Sequence, residues 1–125
     1  MLTDDGEQSS TARGREAEQR ACIFLQERGL RLIERNYRTP LGEIDLIMAD
    51  KDILVFIEVR SRASCRFGDP LETVNRHKQN RLVKTAARYL QQHRQWATRR
   101  CRFDVVSLTP DSAPHWVPNA FTGYR

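Results

Sequence analysis

Residues 42–59 limit the fold more than any other stretch. GEIDLIM (42–48) alternates polar and apolar side chains at its start, and ILVFIEV (53–59) is a nearly continuous apolar run rich in β-branched residues. A run of that kind reads as a strand buried on both faces. Only ADKD (49–52) separates the two stretches, and so short a polar break between two strand patterns predicts a β-hairpin. With Lys51 and Asp52 as the two loop residues, Asp50 pairs with Ile53. A hairpin buried in this way needs cover on both faces. It excludes an all-helical fold and a purely parallel doubly wound sheet.

The flanking segments supply the cover. Ala17, Ala21, Phe24 and Leu25 recur at three- and four-residue steps, which predicts a helix over 11–28 that stops at Gly29. RLIERNYR (31–38) reads as a strand ended by Pro40, which has no N–H to give to a ladder. Residues 62–74 contain Gly68, Asp69 and Pro70 and read as a loop. A long helix follows over 74–96, then a strand at 101–108 (CRFDVVSL). The segment HWVPNAF either adds an edge strand or packs over the core. The expected fold is α/β, ordered α-β-β-β-α-β, with a mixed sheet, a central hairpin and helices on its faces. Residues 1–11 are polar and acidic and read as a flexible tail. The remaining 12–125 fit one domain, since domains cluster near ~100–150 residues.

Composition narrows the function classes. Hydrophobic residues make up 39% of the chain, enough for one core. No apolar run approaches the ~18 residues of a membrane span, so no membrane partner is expected. The first ten residues lack the basic and apolar regions of a secretory signal. Cys22, Cys65 and Cys101 are odd in number and far apart, without metal-ligand spacing. A cytoplasmic setting is the expectation. The net charge of +5 favours a polyanionic partner, nucleic acid first.

Two carboxylates stand out on the hairpin. Counting back from the turn places Asp45 opposite Glu58, with opposed Cβ atoms roughly 4.5–5.5 Å apart. Like charges there repel, and Glu58 lies deep in an apolar strand, where an unpaired charge costs several kcal/mol. Either a hard cation such as Mg²⁺ bridges them, or Glu58 pairs with Arg60, Arg62 or Arg38 while Asp45 caps a turn. Glu18 falls within the apolar arc of the first helix. It reaches either the hairpin carboxylates or an arginine partner such as Arg38.

On the second long helix, Leu82, Val83, Ala86, Ala87 and Leu90 form the apolar arc. His77, Arg81, Lys84 and Arg88 form a separate stripe with no acid between them. Uncompensated like charges in helical register are relieved by phosphates or are simply solvated. Glycine-rich phosphate loops are absent, and aromatics interleaved with basic residues are sparse.

The segments GREAEQRACIFLQERGLRLIERNYR, GEIDLI, LVFIEVRSR, KQNRLVKTAARYL and CRFDVVSL together resemble the YraN-like family of uncharacterised bacterial proteins. That family is similar to the restriction-endonuclease-like, PD-(D/E)xK, superfamily and to archaeal Holliday junction resolvases. The resemblance implies a restriction-endonuclease-like fold and a metal-dependent nuclease-like protein acting on DNA, including structured or branched DNA, with Mg²⁺ or Mn²⁺ as cofactor. It maps Asp45 onto the hallmark aspartate, Glu58 onto the second acid and Glu18 onto the helix glutamate, all three as metal ligands and catalytic residues. Arg60 stands where the superfamily has its lysine. Arginine keeps its proton and cannot serve as a general base, although it can stabilise developing charge. Lys78 can substitute if its end of the helix approaches the site. The nucleic-acid-binding set is His77, Lys78, Arg81, Lys84 and Arg88, with DNA the expected partner and a homodimer the expected assembly. The competing expectations are a non-catalytic nucleic-acid-binding module and an interaction adaptor built on the same fold.

Overall fold

A computed structural model describes residues 5–62 and 74–122. Its elements run α1 (Asp5–Glu27), β1 (Arg31–Thr39), β2 (Gly42–Asp50), β3 (Ile53–Ser61), α2 (Arg76–Gln92), β4 (Cys101–Leu108) and β5 (His115–Phe121). This is the expected α-β-β-β-α-β order with one strand added. HWVPNAF forms that strand, and it pairs antiparallel with β4.

The five strands lie in the order β1-β2-β3-β4-β5, so the apolar run of β3 is central. Only β3 and β4 are parallel, joined through α2. The hairpin register is the one counted from the sequence, Asp50↔Ile53 through Leu46↔Ile57. Lys51 at the turn takes a φ of 58°. Two cores follow from the alternation of side chains. Ala17, Ala21, Cys22 and Leu25 of α1 pack on Leu46, Met48, Val55 and Ile57. Leu82, Ala86 and Tyr89 of α2 pack on Ile44, Ile47, Leu54 and Phe56. The sheet is therefore the middle of three layers. No helix among the described residues is long and apolar enough to cross a membrane.

Two helix boundaries differ from expectation. The first helix begins at Asp5 rather than 11, so residues 5–11 continue α1 instead of joining a loose tail. Adding a residue to an existing helix fixes one residue for one hydrogen bond, far cheaper than starting a helix. The second helix starts at Arg76 behind Asn75, whose side chain accepts from the Lys78 N–H, and stops at Gln92. A single 3₁₀ turn, Arg94–Trp96, follows. The side-chain cap explains the sharp start, and it fixes the turn that carries Lys78. The expected loop 62–74 falls mostly on 63–73, outside the described residues, as does Cys65.

Gly42 opens β2 directly beneath α2. Its φ is 156°, and a Cβ there would sit 3.1 Å from Thr85 Oγ1 and 3.8 Å from Arg81 Cβ. Thr85 is fully buried and donates to the Arg81 carbonyl, so it has little room to yield. Gly42→Ala is expected to cost about 1–2 kcal/mol, read as a lower urea midpoint at unchanged slope.

Candidate metal centre and its basic flank

The site forms where β2 stops alternating. Ile44 packs in the α2-side core, whereas Leu46 and Met48 pack on the α1 side. In a regular strand, residues 44 and 46 would share a face, so the strand turns over at Asp45. The neighbouring strand turns over with it. The pairs Arg35↔Leu46 and Tyr37↔Ile44 bracket Asn36 opposite Asp45, and Asn36 has a φ of 50°, a conformation asparagine tolerates better than most residues. Arg35 reaches Cys22 on α1, while Tyr37 packs in the α2-side core.

The hairpin ladder ends at Leu46↔Ile57, and the same register carried one residue further sets Asp45 against Glu58. Past the end of the ladder, Asp45 Oδ2 accepts the backbone N–H of Val59 at 2.8 Å. This fixes the carboxylate between the two layers.

Three carboxylates meet there. Glu18 from α1 and Glu43 and Asp45 from β2 each offer an oxygen within 4.8 Å of the others. Asn36 holds two of them, its side-chain amide donating to Glu18 Oε1 at 3.0 Å and Glu43 Oε2 at 3.2 Å. Arg38, a candidate partner for Glu18 in the sequence, pairs with Glu43 instead at 3.5 Å. The acids act on Asp45. Burial, then the charge of Glu58, and then Glu18 and Glu43 push its carboxyl up to about 8, against the pull of the Val59 N–H. A carboxylate raised this far lacks a countercharge. Three hard oxygen donors around it suit Mg²⁺ or Mn²⁺.

Glu58 faces the α2 side. It is 7% exposed, and its Oε2 lies 2.7 Å from Lys78 Nζ. Lys78, one of the expected phosphate-binding residues, thus also pairs with an acid. Glu43, Asp45, Glu58, Lys78 and Arg81 all line one cavity of about 400 Å³. Arg60 is not part of that lining; it sits opposite Ser107 on the parallel β3–β4 ladder. The lysine nearest the acids therefore comes from the start of α2, not from position 60.

Nothing in the sequence singles out Glu43 as a ligand. Its same-face relation to Asp45 is visible in GEIDL, but an acid near a strand end is usually solvated. Of the basic stripe, His77, Arg81, Lys84 and Arg88 are all exposed. Arg81 joins the stripe to the cavity and also donates to the Leu41 carbonyl at 3.4 Å. A larger cavity of about 580 Å³ lies between α2 and β4–β5, lined by Val83, Leu90, Phe103 and Phe121 among others. It is mainly apolar, and no carboxylate lines it among the described residues.

Comparison with known proteins places the chain. The model of the uncharacterised protein family UPF0102 matches residues 17–108, which takes in all four acids and the whole of α2. The chain belongs to UPF0102. A UPF0102 protein of Nitrosococcus oceani is 49% identical over 112 residues, covering 87% of this chain and 90% of its own. One from Coxiella burnetii is 50% identical over 107 residues, 86% and 89% of the two chains. One from Pseudomonas aeruginosa is 44% identical over 119 residues, 91% and 95%. The YraN-like resemblance and the UPF0102 match agree, and nearly the full length of each relative is shared.

Proposed function

We propose that this UPF0102 protein is a metal-dependent nuclease that hydrolyses DNA phosphodiesters at the cavity between β2, β3 and the start of α2. One observation carries the reading: Glu43 and Asp45 of the three-acid cluster line the same cavity as Arg81 of the basic stripe. Acids alone suit a cation, and bases alone suit a phosphate chain. Both on one cavity suit a cation that works on a phosphate.

Glu18, Glu43 and Asp45 would hold Mg²⁺ or Mn²⁺, with Glu58 on the same cavity as Asp45. A divalent ion there lowers the pKa of water and balances charge on a phosphoryl oxygen. The chain's own groups do the remaining work. Asn36 keeps two carboxylates aimed inward. Arg81 grips a phosphate oxygen beside the acids, and Lys84 and Arg88 extend that grip along α2. These interactions follow the backbone and carry no sequence readout. Structured or branched DNA is the substrate favoured by the likeness to Holliday junction resolvases.

The test is a cleavage screen over duplex, single-stranded, flapped and four-way DNA with Mg²⁺, Mn²⁺ or EDTA. Metal-dependent products that vanish in Glu18→Gln and Asp45→Asn are expected. Arg81→Ala, Lys84→Ala and Arg88→Ala should each weaken binding to all of these DNAs alike. Each should also lower the salt slope by about one unit for every phosphate the side chain neutralises. An unchanged salt titration in the triple variant would remove α2 from the binding surface. A binding module without turnover is the second reading, favoured by an arginine at position 60, which keeps its proton and cannot act as a general base. Tight metal-dependent DNA binding with no product on any substrate would select it.

A further inference from the structure

We propose that Lys78 is a built-in cation that occupies the Glu58 side of the cavity, so that the site takes one divalent metal ion and not two. The inference rests on the metal-binding reading above. Four acids surround this point, and they divide into two groups. Glu18, Glu43 and Asp45 bring their oxygens together within 4.8 Å. Glu58 is not in that group, and its Oε2 is held by the Lys78 ammonium at 2.7 Å.

Asp45 stands between the groups, bound to the Val59 N–H and lining the same cavity as Glu58. Without Lys78, Asp45 and Glu58 would face each other as a second carboxylate pair, the kind of ligand set that bridges a second metal ion. With it, that position already carries a positive charge. A second divalent ion would have to displace a cation from a buried carboxylate and meet its repulsion at short range.

The backbone that carries the lysine is held in place. The Asn75 side chain accepts the Lys78 backbone N–H at 2.8 Å, and Gly42 allows α2 to lie close on β2. An ammonium suits this role because it is a compact point charge with three donors. It neutralises Glu58 and keeps donors for a phosphate oxygen.

Mn²⁺ binding measures the inference directly. Free Mn²⁺ is followed by electron paramagnetic resonance during titration of the full-length protein, without DNA, at constant pH. Wild type is expected to bind one Mn²⁺ per chain. Lys78→Met is expected to bind two, the second through Glu58, and Lys78→Arg, which keeps the charge, one. Glu58→Gln in the wild-type background should still bind one Mn²⁺ within a few-fold of wild-type affinity. That variant keeps the test decisive should Lys78→Met fail to fold. Two ions in wild type, one in a folded Lys78→Met, or loss of Mn²⁺ in a folded Glu58→Gln would each overturn the role of Lys78. No Mn²⁺ bound to wild type would overturn the metal reading itself, and this inference with it.

Discussion

Asp45→Asn is expected to make the metal-free protein more stable and to abolish metal binding. The sign follows from where the proton sits. In the unfolded chain this carboxyl titrates near its ordinary value of 3.8, and in the folded chain burial and then Glu58 push it up to about 8. Between those values the folded state holds a proton that the unfolded state has released, so stability falls as pH rises. The favourable contribution is complete below about pH 4 and gone once the pH has passed about 8. Asparagine removes the dependence and still offers an oxygen to the Val59 N–H. The gain in EDTA should therefore be small near pH 4 and grow to a few kcal/mol above pH 8. Millimolar Mg²⁺ should reverse the order, because a ligand that binds only the folded wild type stabilises only the wild type. Thermal melts at pH 5, 7 and 9, with EDTA and with Mg²⁺, check both halves. A variant less stable than wild type at pH 9 in EDTA would show that the Asp45 charge is compensated in the fold.

The largest loss of stability is expected away from the site, at Asp104. This β4 residue is 1% exposed. It accepts from Arg102 Nε at 3.0 Å, from the Trp116 indole N–H at 2.9 Å and from the Asn119 backbone N–H at 2.9 Å. The same Arg102 binds Asp50 at the hairpin turn, 3.1 Å away. Asp104 thus ties β5 and the turn end of β2 to β4. Removing it leaves a partly buried guanidinium with one partner fewer and two donors with none. Breaking a buried charged pair from one side costs about 3–5 kcal/mol. Asp104→Ala should fall in that range by urea denaturation, and Asp104→Asn should recover part of it. A loss below about 1 kcal/mol would mean that water replaces the carboxylate.

How much of this was legible in the sequence depended on whether the information was local. The hairpin register was legible because two apolar runs and a two-residue turn leave one alignment. Glu18 was legible because an acid in an apolar arc stands out against helical periodicity. The turnover of β2 at Asp45 was not legible, because GEIDLIM alternates in writing whether or not the strand does. It depends on Asn36 adopting a left-handed conformation across the ladder, an interaction between strands. Lys78 was visible as a candidate, but its approach to Glu58 depends on how closely α2 lies on β2, and Gly42 settles that. Asp104 read as one more polar residue in CRFDVVSL. Its partners on β5 lie across a connection whose course the sequence left open.

The position of Glu18 on α1 separates the acids in time as well as in space. Glu43, Asp45 and Glu58 lie on one hairpin, whose closure costs little chain entropy and belongs to the fast events of folding. Glu18 lies on a helix ahead of β1, and it joins them only after α1 docks on the sheet through Ala21, Cys22 and Leu25. Without that docking the hairpin carries its acids apart from Glu18. The proposed metal centre thus requires α1 to be docked, and a chain with α1 undocked would have a nearly complete sheet but only two of the three proposed ligands.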